Sequence, residues 1–299
     1  MKFLLTAINA KFIHSNPAIY SLRAGAGEKL QPYVELAEFT INESLESILE
    51  GIWKRQPKVI GFSCYIWNWK LIRELLIELP KILPDTEIWL GGPEVTYDGP
   101  GLLREFPQVT GIMVGEGEVT FREVLDHYVR EAESTGQSEQ QPESDSTEQQ
   151  AADRMGTVAG KSVAERFGQI PGLCLASGYT APRELTDLTT LPFLYEDMEP
   201  FTNRIIYYET SRGCPYRCSY CLSSIDKKVR LRDIDVVKRE LQFFLDQNVK
   251  QVKFIDRTFN CDHKHAMEIW EYIYKHDNGV TNFHFEISAD ILREEEIAL

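Results

Sequence analysis

Two series of short apolar runs alternate with helical stripes along the chain. In the first series, residues 2–8, 34–41, 59–65, 87–90 and 111–114 are mostly unbroken apolar runs. That is the pattern of strands in a sheet covered on both faces. The spacing between them is helical. Residues 17–30 open on Pro17 after Asn16, an N-terminal arrangement. Residues 43–55 align Leu45, Ile48, Leu49 and Ile52, residues 69–79 align Ile72, Leu75, Leu76 and Leu79, and residues 119–130 close the series. Five strands joined by crossover helices predict a doubly wound, flavodoxin-like parallel sheet over residues 1–130.

The second series begins at residue 204. Strands are predicted at 205–210, 252–256 and 282–289. The helix at 236–248 aligns Val237, Leu241, Phe244 and Leu245, and that at 264–276 aligns Ile269, Trp270, Ile273 and Tyr274. Three βα units cannot close a barrel. Residues 204–299 are therefore expected to be the N-terminal part of a (β/α) barrel in a longer protein. Between the two series the pattern fails. Residues 131–153 carry Glu131, Glu133, Glu139, Glu143, Asp145, Glu148 and Asp153, no base, and only alanines as apolar side chains. Such a stretch buries too little to order itself, so 131–165 is expected to be a disordered insertion. Residues 166–203 read as a connector, with a short strand at 172–179.

Composition changes this picture little. The 299 residues are 43% hydrophobic and 26% charged, a globular balance. The net charge is −14, half of it from the seven acids of the insertion. No basic face of the kind nucleic acid needs is visible, so a nucleic-acid partner is not expected. The opening Met1–Ile8 run is too short for a signal peptide before Asn9 and Lys11 and reads as a strand. No apolar run approaches the roughly 18 residues that span a bilayer, and a cytoplasmic protein without membrane association is expected.

Cysteine spacing carries the chemistry. Of six cysteines, Cys64, Cys174 and Cys261 are scattered, and three fall within eight residues: Ser211-Arg212-Gly213-Cys214-Pro215-Tyr216-Arg217-Cys218-Ser219-Tyr220-Cys221. A disulfide framework would be spread more evenly through a smaller secreted chain. Three thiolates can hold three irons of a [4Fe–4S] cluster and leave the fourth open. A structural zinc site needs a fourth ligand, and the nearest candidates, Cys261 and His263, lie some forty residues on.

This Cys-x3-Cys-x2-Cys motif, after a strand, with Gly213 before the first cysteine and Tyr220 before the third, resembles that of the radical S-adenosylmethionine (SAM) superfamily. The resemblance implies that Cys214, Cys218 and Cys221 bind the cluster and that SAM chelates the open iron, with Tyr220 near its adenine. It further implies reductive cleavage of SAM to methionine and a 5′-deoxyadenosyl radical, fed by an electron donor such as flavodoxin or ferredoxin. Barrel sites lie at strand carboxyl ends. That places Asp256, Thr258, Asn260, Glu286, Ser288 and Asp290 near the cluster, as SAM contacts or as loop and cap hydrogen bonds. Arg257 pairs with a carboxylate or lies on the surface, and Cys261 reads as a buried thiol.

A five-stranded doubly wound domain ahead of such a core resembles the cobalamin-binding domain of cobalamin-dependent radical SAM proteins. Ser63 follows the third strand, Gly91-Gly92 the fourth and Gly115-Glu116-Gly117-Glu118 the fifth, all at carboxyl ends where open α/β sheets bind ligands. In the cobalamin fold such a serine and paired glycines line the slot for the nucleotide tail. Here Cys64-Tyr65 follows Ser63 where leucine is usual two positions on. Cobalamin domains that supply an axial imidazole use Asp-x-His-x-x-Gly after the first strand. This chain has Asn9-Ala10-Lys11-Phe12-Ile13-His14-Ser15-Asn16, so His14 stands as a cobalt ligand or as a polar loop residue without the usual orienting carboxylate. Tyr65, Trp67 and Trp69 flank the corrin or pack in the core. The stretch 4–16 resembles the opening of a bacterial group of such proteins that carry a further C-terminal domain.

The function expected is radical SAM catalysis, with cobalamin-dependent methyl transfer or a related radical rearrangement on a substrate the sequence does not name. No residue is singled out as catalytic in its own right. Two rivals differ in class. One is a radical SAM enzyme whose first domain recognises substrate without cobalamin, as in tRNA methylthiolation. Such a domain carries three cysteines for a second cluster, whereas only Cys64 precedes residue 130 here. The other is a non-enzymatic cobalamin or iron–sulfur sensor, or a scaffold.

Overall fold

The structure, a computed structural model, describes residues 1–138, 161–226 and 228–299. The chain divides into two compact units: Met1–Lys11 with Ala18–Thr186, and Phe12–Pro17 with Asp187–Leu299.

In the first unit the elements run β1 (Phe3–Asn9), α1 (Pro17–Gly25), β2 (Val34–Thr40), α2 (Leu45–Trp53), β3 (Val59–Ser63), α3 (Trp69–Ile82), β4 (Glu87–Gly91), α4 (Gly99–Glu105), β5 (Val109–Met113), α5 (Gly117–Ser138), α6 (Val163–Phe167), β6 (Leu173–Leu175) and β7 (Gly178–Tyr179). The sheet order is β2-β1-β3-β4-β5-β6-β7. β1 to β5 pair in parallel, and β6 and β7 add an antiparallel hairpin against β5. The chain thus reverses its direction of winding between β1 and β3, the topology in which ligands bind at strand carboxyl ends. One sheet face packs Ile60, Leu75, Leu76 and Ile88, and the other packs Phe3, Trp89, Phe121 and Phe167. β1 is buried at all seven positions, as its unbroken apolar run requires.

Two expectations need correction here, and one helix is added. Residues 172–179 form a hairpin rather than one strand, turning before Gly178 at φ +117°. α4, which the apolar pattern does not predict, starts with a proline in its first turn. The ends of the supposed insertion are ordered: α5 continues through 131–138, and Ser162 caps α6 in a capping box with Glu165. The physical reason is Arg166. Its side chain is 2% exposed and bridges Glu131 at 2.7 Å and Glu87 at 2.9 Å. It also lies over the Phe167 ring at 4.7 Å. Residues 139–160, the remainder of that expected insertion, lie outside the described residues.

In the second unit the elements are β8 (Ile206–Tyr208), β9 (Ser211–Arg212), β10 (Arg230–Leu231), α7 (Ile234–Asp246), β11 (Gln251–Phe254), α8 (His263–Lys275), β12 (Asn282–His284) and α9 (Glu294–Ala298). β8, β11 and β12 form a parallel sheet in the order β12-β11-β8, and β9 pairs antiparallel with β10. Phe244 of α7, Tyr208 of β8 and Phe254 of β11 meet edge to face at 5.4 Å. Arg232 and Glu240 form a buried ion pair at 2.7 Å, and Tyr208 donates to Glu240 at 2.5 Å. The strands at 205–210 and 282–289 are shorter than the apolar pattern suggests. Thr210 leaves the ladder to bond Asp256, and beyond His284 the chain instead ties to the loop after β11.

Candidate functional site

The first unit encloses a cavity of about 350 Å³ between the sheet and α1. Its floor is apolar: Phe3 and Leu5 of β1, Trp89 and Leu90 of β4, and Met113 of β5, with Ile19 and Leu22 of α1 as one wall. Gly61 lines it too, and a Cβ there would stand 3.2 Å from the Leu5 and Phe3 side chains. At the strand ends the lining becomes Ser63, Tyr65, Gly91, Gly92, Pro93, Thr96, Tyr97, Gly115 and Gly117.

Backbone conformation builds this rim. Gly92 has φ +110°, and a Cβ on it would fall 2.5 Å from the Cys64 carbonyl oxygen. No L side chain is accommodated there. Gly115 has φ +82° with open space where a Cβ would be. Gly117 would bring a Cβ to 2.9 Å from Leu22. The neighbouring turn is fixed by Asn68, which is fully buried. Its amide donates to the Ile8 and Ser63 carbonyls at 3.0 Å each, and its Oδ1 accepts from the Tyr65 N–H at 2.8 Å. Cys64 is buried, donates to the Phe62 carbonyl at 3.5 Å, and has its thiol pushed well above the ordinary range by burial. An inert thiol is the result.

Five of the predicted first-domain residues, Ser63, Gly91, Gly92, Gly115 and Gly117, therefore line one cavity. Glu116 does not: its carboxylate accepts from the Thr186 N–H at 2.6 Å and anchors the connector. Glu118 lines the cavity and accepts from the Ser21 hydroxyl at 3.0 Å. His14 belongs to the second unit, where its Nδ1 shares a hydrogen bond with the Tyr207 hydroxyl and its backbone bridges Ile205. The aromatic trio divides: Tyr65 lines the cavity with Trp67 stacked on it at 4.4 Å, while Trp69 packs on Phe106 at 6.4 Å. Tyr97, Thr96 and Leu22 were missed, because nothing in their spacing separates a lining residue from a loop or core residue.

In the second unit the cysteines lie on the segment between β9 and β10. The turn into it needs Gly213, with φ +96° and a notional Cβ only 2.5 Å from the Lys228 carbonyl oxygen. The Cys214 N–H donates to the Asp226 carbonyl at 3.2 Å, and the Asp226 side chain pairs with Arg230 at 2.7 Å. Cys214 is buried with its sulfur 3.4 Å from the Thr258 hydroxyl. Cys218 and Cys221 are partly exposed, and Tyr220 is 91% exposed. Among the described residues no three His, Cys, Asp or Glu side chains converge closely enough to hold a metal ion.

Around this loop the predicted carboxyl-end residues serve as tethers. Asp256, 1% exposed, accepts from the Thr210 N–H and hydroxyl and from the Ser211 hydroxyl at 2.5 Å. Burial raises its carboxyl above the usual range against these bonds. Asn260 is fully buried and holds both backbone groups of Ser288 at 2.9 Å. Ser288 meets the Tyr216 hydroxyl at 3.1 Å and donates to Asp290 at 2.7 Å. The Glu286 carboxylate pairs with Lys253 at 3.3 Å, and its carbonyl accepts from the Phe259 N–H. Cys261 is a partly buried thiol raised by burial.

Both sites fit the groups their chemistry suggests. A rim without Cβ atoms above an apolar slot suits a bulky flat ligand with an apolar tail. Three cysteine thiols on one loop, none in a disulfide, supply the donor set of a cluster with an open iron. Comparisons with known proteins match each of the two regions to a family. The B12 binding domain family matches residues 4–125, and the Radical SAM superfamily matches residues 208–299. The chain is 27% identical over 79% of its length to 2-(S-pantetheinyl)-carbapenam-3-carboxylate methyltransferase of Streptantibioticus cattleyicolor, covering 32% of that protein. It is 28% identical over 68% of its length to the cobalamin-dependent radical SAM methyltransferase TokK of Streptomyces tokunonensis, covering 28% of it. Among solved structures, the cobalamin-dependent SAM radical enzyme OxsB with aqua-cobalamin and SAM bound matches with TM-score 0.67. That match has 17% identity and covers 98% of this chain and 40% of that one, a likeness of fold. The chain thus spans about a third of the length of the curated relatives it matches.

Proposed function

Because the chain carries a B12-binding domain followed by a radical SAM domain, we propose that it is the cofactor-bearing portion of a cobalamin-dependent radical SAM methyltransferase. The observation that carries this reading is the pairing, in one chain, of the glycine-rimmed cavity with the Cys-x3-Cys-x2-Cys loop. When bound, a [4Fe–4S] cluster supplies one electron to SAM, and cobalamin supplies methyl transfer.

The chain's own residues have separable tasks. Gly91, Gly92, Gly115 and Gly117 let backbone approach a corrinoid, Ser63 offers a hydroxyl at its tail, and the floor beneath keeps that tail dry. Cys214, Cys218 and Cys221 are the cluster ligands. Asp256 and Thr258 seat the first of them by fixing Thr210, Ser211 and Cys214. Tyr220, 91% exposed, is open to SAM in this reading, whereas the Ser288 hydroxyl is engaged by Tyr216 and Asp290. His14, bonded to Tyr207, secures the start of β8 rather than a cobalt ion. A reductant and a substrate complete the reaction. Among the described residues no helix is long and apolar enough to cross a membrane.

The test is an anaerobic absorbance titration with hydroxocobalamin beside iron–sulfur reconstitution of the same chain. Stoichiometric binding with a base-off spectrum, and a cluster lost in Cys214→Ala, are the expected results. No corrinoid binding at tens of micromolar overturns the cobalamin half of the reading. A cluster that survives Cys214→Ala overturns the other half.

A further inference from the structure

The cysteine loop is held unevenly. Its first cysteine is buried against Thr258 and bonded through its backbone to Asp226, whereas Cys218 and Cys221 are partly exposed. Tyr216 lies between these regions, after Pro215, and its hydroxyl reaches Ser288 at 3.1 Å. Ser288 is a fixed post: Asn260 binds its N–H and its carbonyl, each at 2.9 Å. The Ser288 hydroxyl donates to Asp290 at 2.7 Å. Its one proton is committed there, so toward Tyr216 it accepts, and the direction of the relay is Tyr216 O–H to Ser288 O–H to the Asp290 carboxylate. A chain of hydrogen bonds ending on an anion is stronger than an isolated neutral pair.

We propose that Tyr216 is a positioning residue: through Ser288 it orients the part of the loop that presents Cys218 and Cys221, and couples that part to the segment after β12. This rests on the reading of the three cysteines as cluster ligands. Phenylalanine at 216 keeps the ring and removes only the hydroxyl, and alanine at 288 removes the acceptor from the other side. A net hydrogen bond of about 1 kcal/mol corresponds to about a fivefold change in an equilibrium or rate.

The experiment reconstitutes the wild-type chain, Tyr216→Phe, Ser288→Ala and the double variant with iron and sulfide. It then measures iron release to a chelator, and the electron paramagnetic resonance spectrum of the reduced cluster with and without SAM. The expected result is full iron loading in every variant and release about fivefold faster in each single variant. The double variant should be no faster than Ser288→Ala, because that change already removes the Tyr216–Ser288 bond, along with the Ser288–Asp290 one. The SAM-induced change in the spectrum should shrink in parallel, a signature that general destabilisation of the fold would not produce. Wild-type release rates and spectra in the variants, or additive effects in the double variant, overturn the proposal while leaving the cluster reading intact. A wild-type chain that takes up no cluster overturns that reading and the proposal with it.

Discussion

The two candidate sites are built by opposite means. In the first unit the rim of the cavity is backbone, shaped by Gly92 and Gly115 at positive φ and by the absence of side chains at Gly91 and Gly117. In the second unit the loop is hung from side chains: Asp256 on Thr210 and Ser211, Thr258 on Cys214, and Ser288 on Tyr216. A site made of backbone is pre-shaped before its ligand arrives, and it fails when a Cβ is added. A site hung on tethers holds its loop through side-chain bonds, and it fails when a hydrogen-bonding atom is removed.

The strongest way to break the comparison is to loosen the scaffold of the first site from a distance. Arg166→Ala strands the carboxylates of Glu87 and Glu131, and should cost about 3–5 kcal/mol in urea unfolding of the first unit. Gly92→Ala attacks the rim itself. Positive φ and contact with the Cys64 carbonyl should together cost about 3 kcal/mol, with loss of corrinoid binding and retained cluster loading. Asp256→Asn probes the other design by replacing an acceptor-only group with one that cannot satisfy all three donors. A loss of about 2 kcal/mol is expected in the second unit's urea transition, with faster iron release and unchanged corrinoid affinity.

The smallest effect is a pH dependence confined to the second unit. His265 on α8 is buried, and burial holds its imidazole below the usual 6.5 despite Asp262 and Glu268 nearby. Below about 6.5 the unfolded chain takes up a proton that the folded chain declines, so stability falls as pH drops from 7.5 toward 5.5. The urea midpoint of the second transition should follow that slope, and His265→Gln should flatten it. A slope unchanged in the variant would assign it to other groups.

Much of this was legible in the chain because its signals are local. The five parallel strands of the first unit follow from unbroken apolar runs, and the three cysteines proposed as cluster ligands stand out by spacing that few other chemistries require. Ser63 and the paired glycines were found because strand carboxyl ends predict where ligands sit. What escaped depends on contacts distant in sequence. Asp256 looks like a residue facing ligand at the end of a strand. That Thr210 and Ser211, some 45 positions earlier, would claim its oxygens is a property of the folded sheet. Asn68 reads as an ordinary residue before a helix, yet it staples three backbone groups at the cavity's edge. The ordered ends of the acidic stretch were hidden because composition averages over Glu131, which is held by His127 and by an arginine 35 residues away.

That arginine has an engineering consequence. Glu131 and Arg166 are clasped at 2.7 Å, so the stretch between them starts and finishes at one place on the first unit. Where the two flanks of an inserted segment are already tied together, doubling the segment's length costs only about 0.6 kcal/mol. A reporter protein spliced into this stretch should therefore leave both cofactor regions intact, which makes it the natural port for a fluorescent or affinity module.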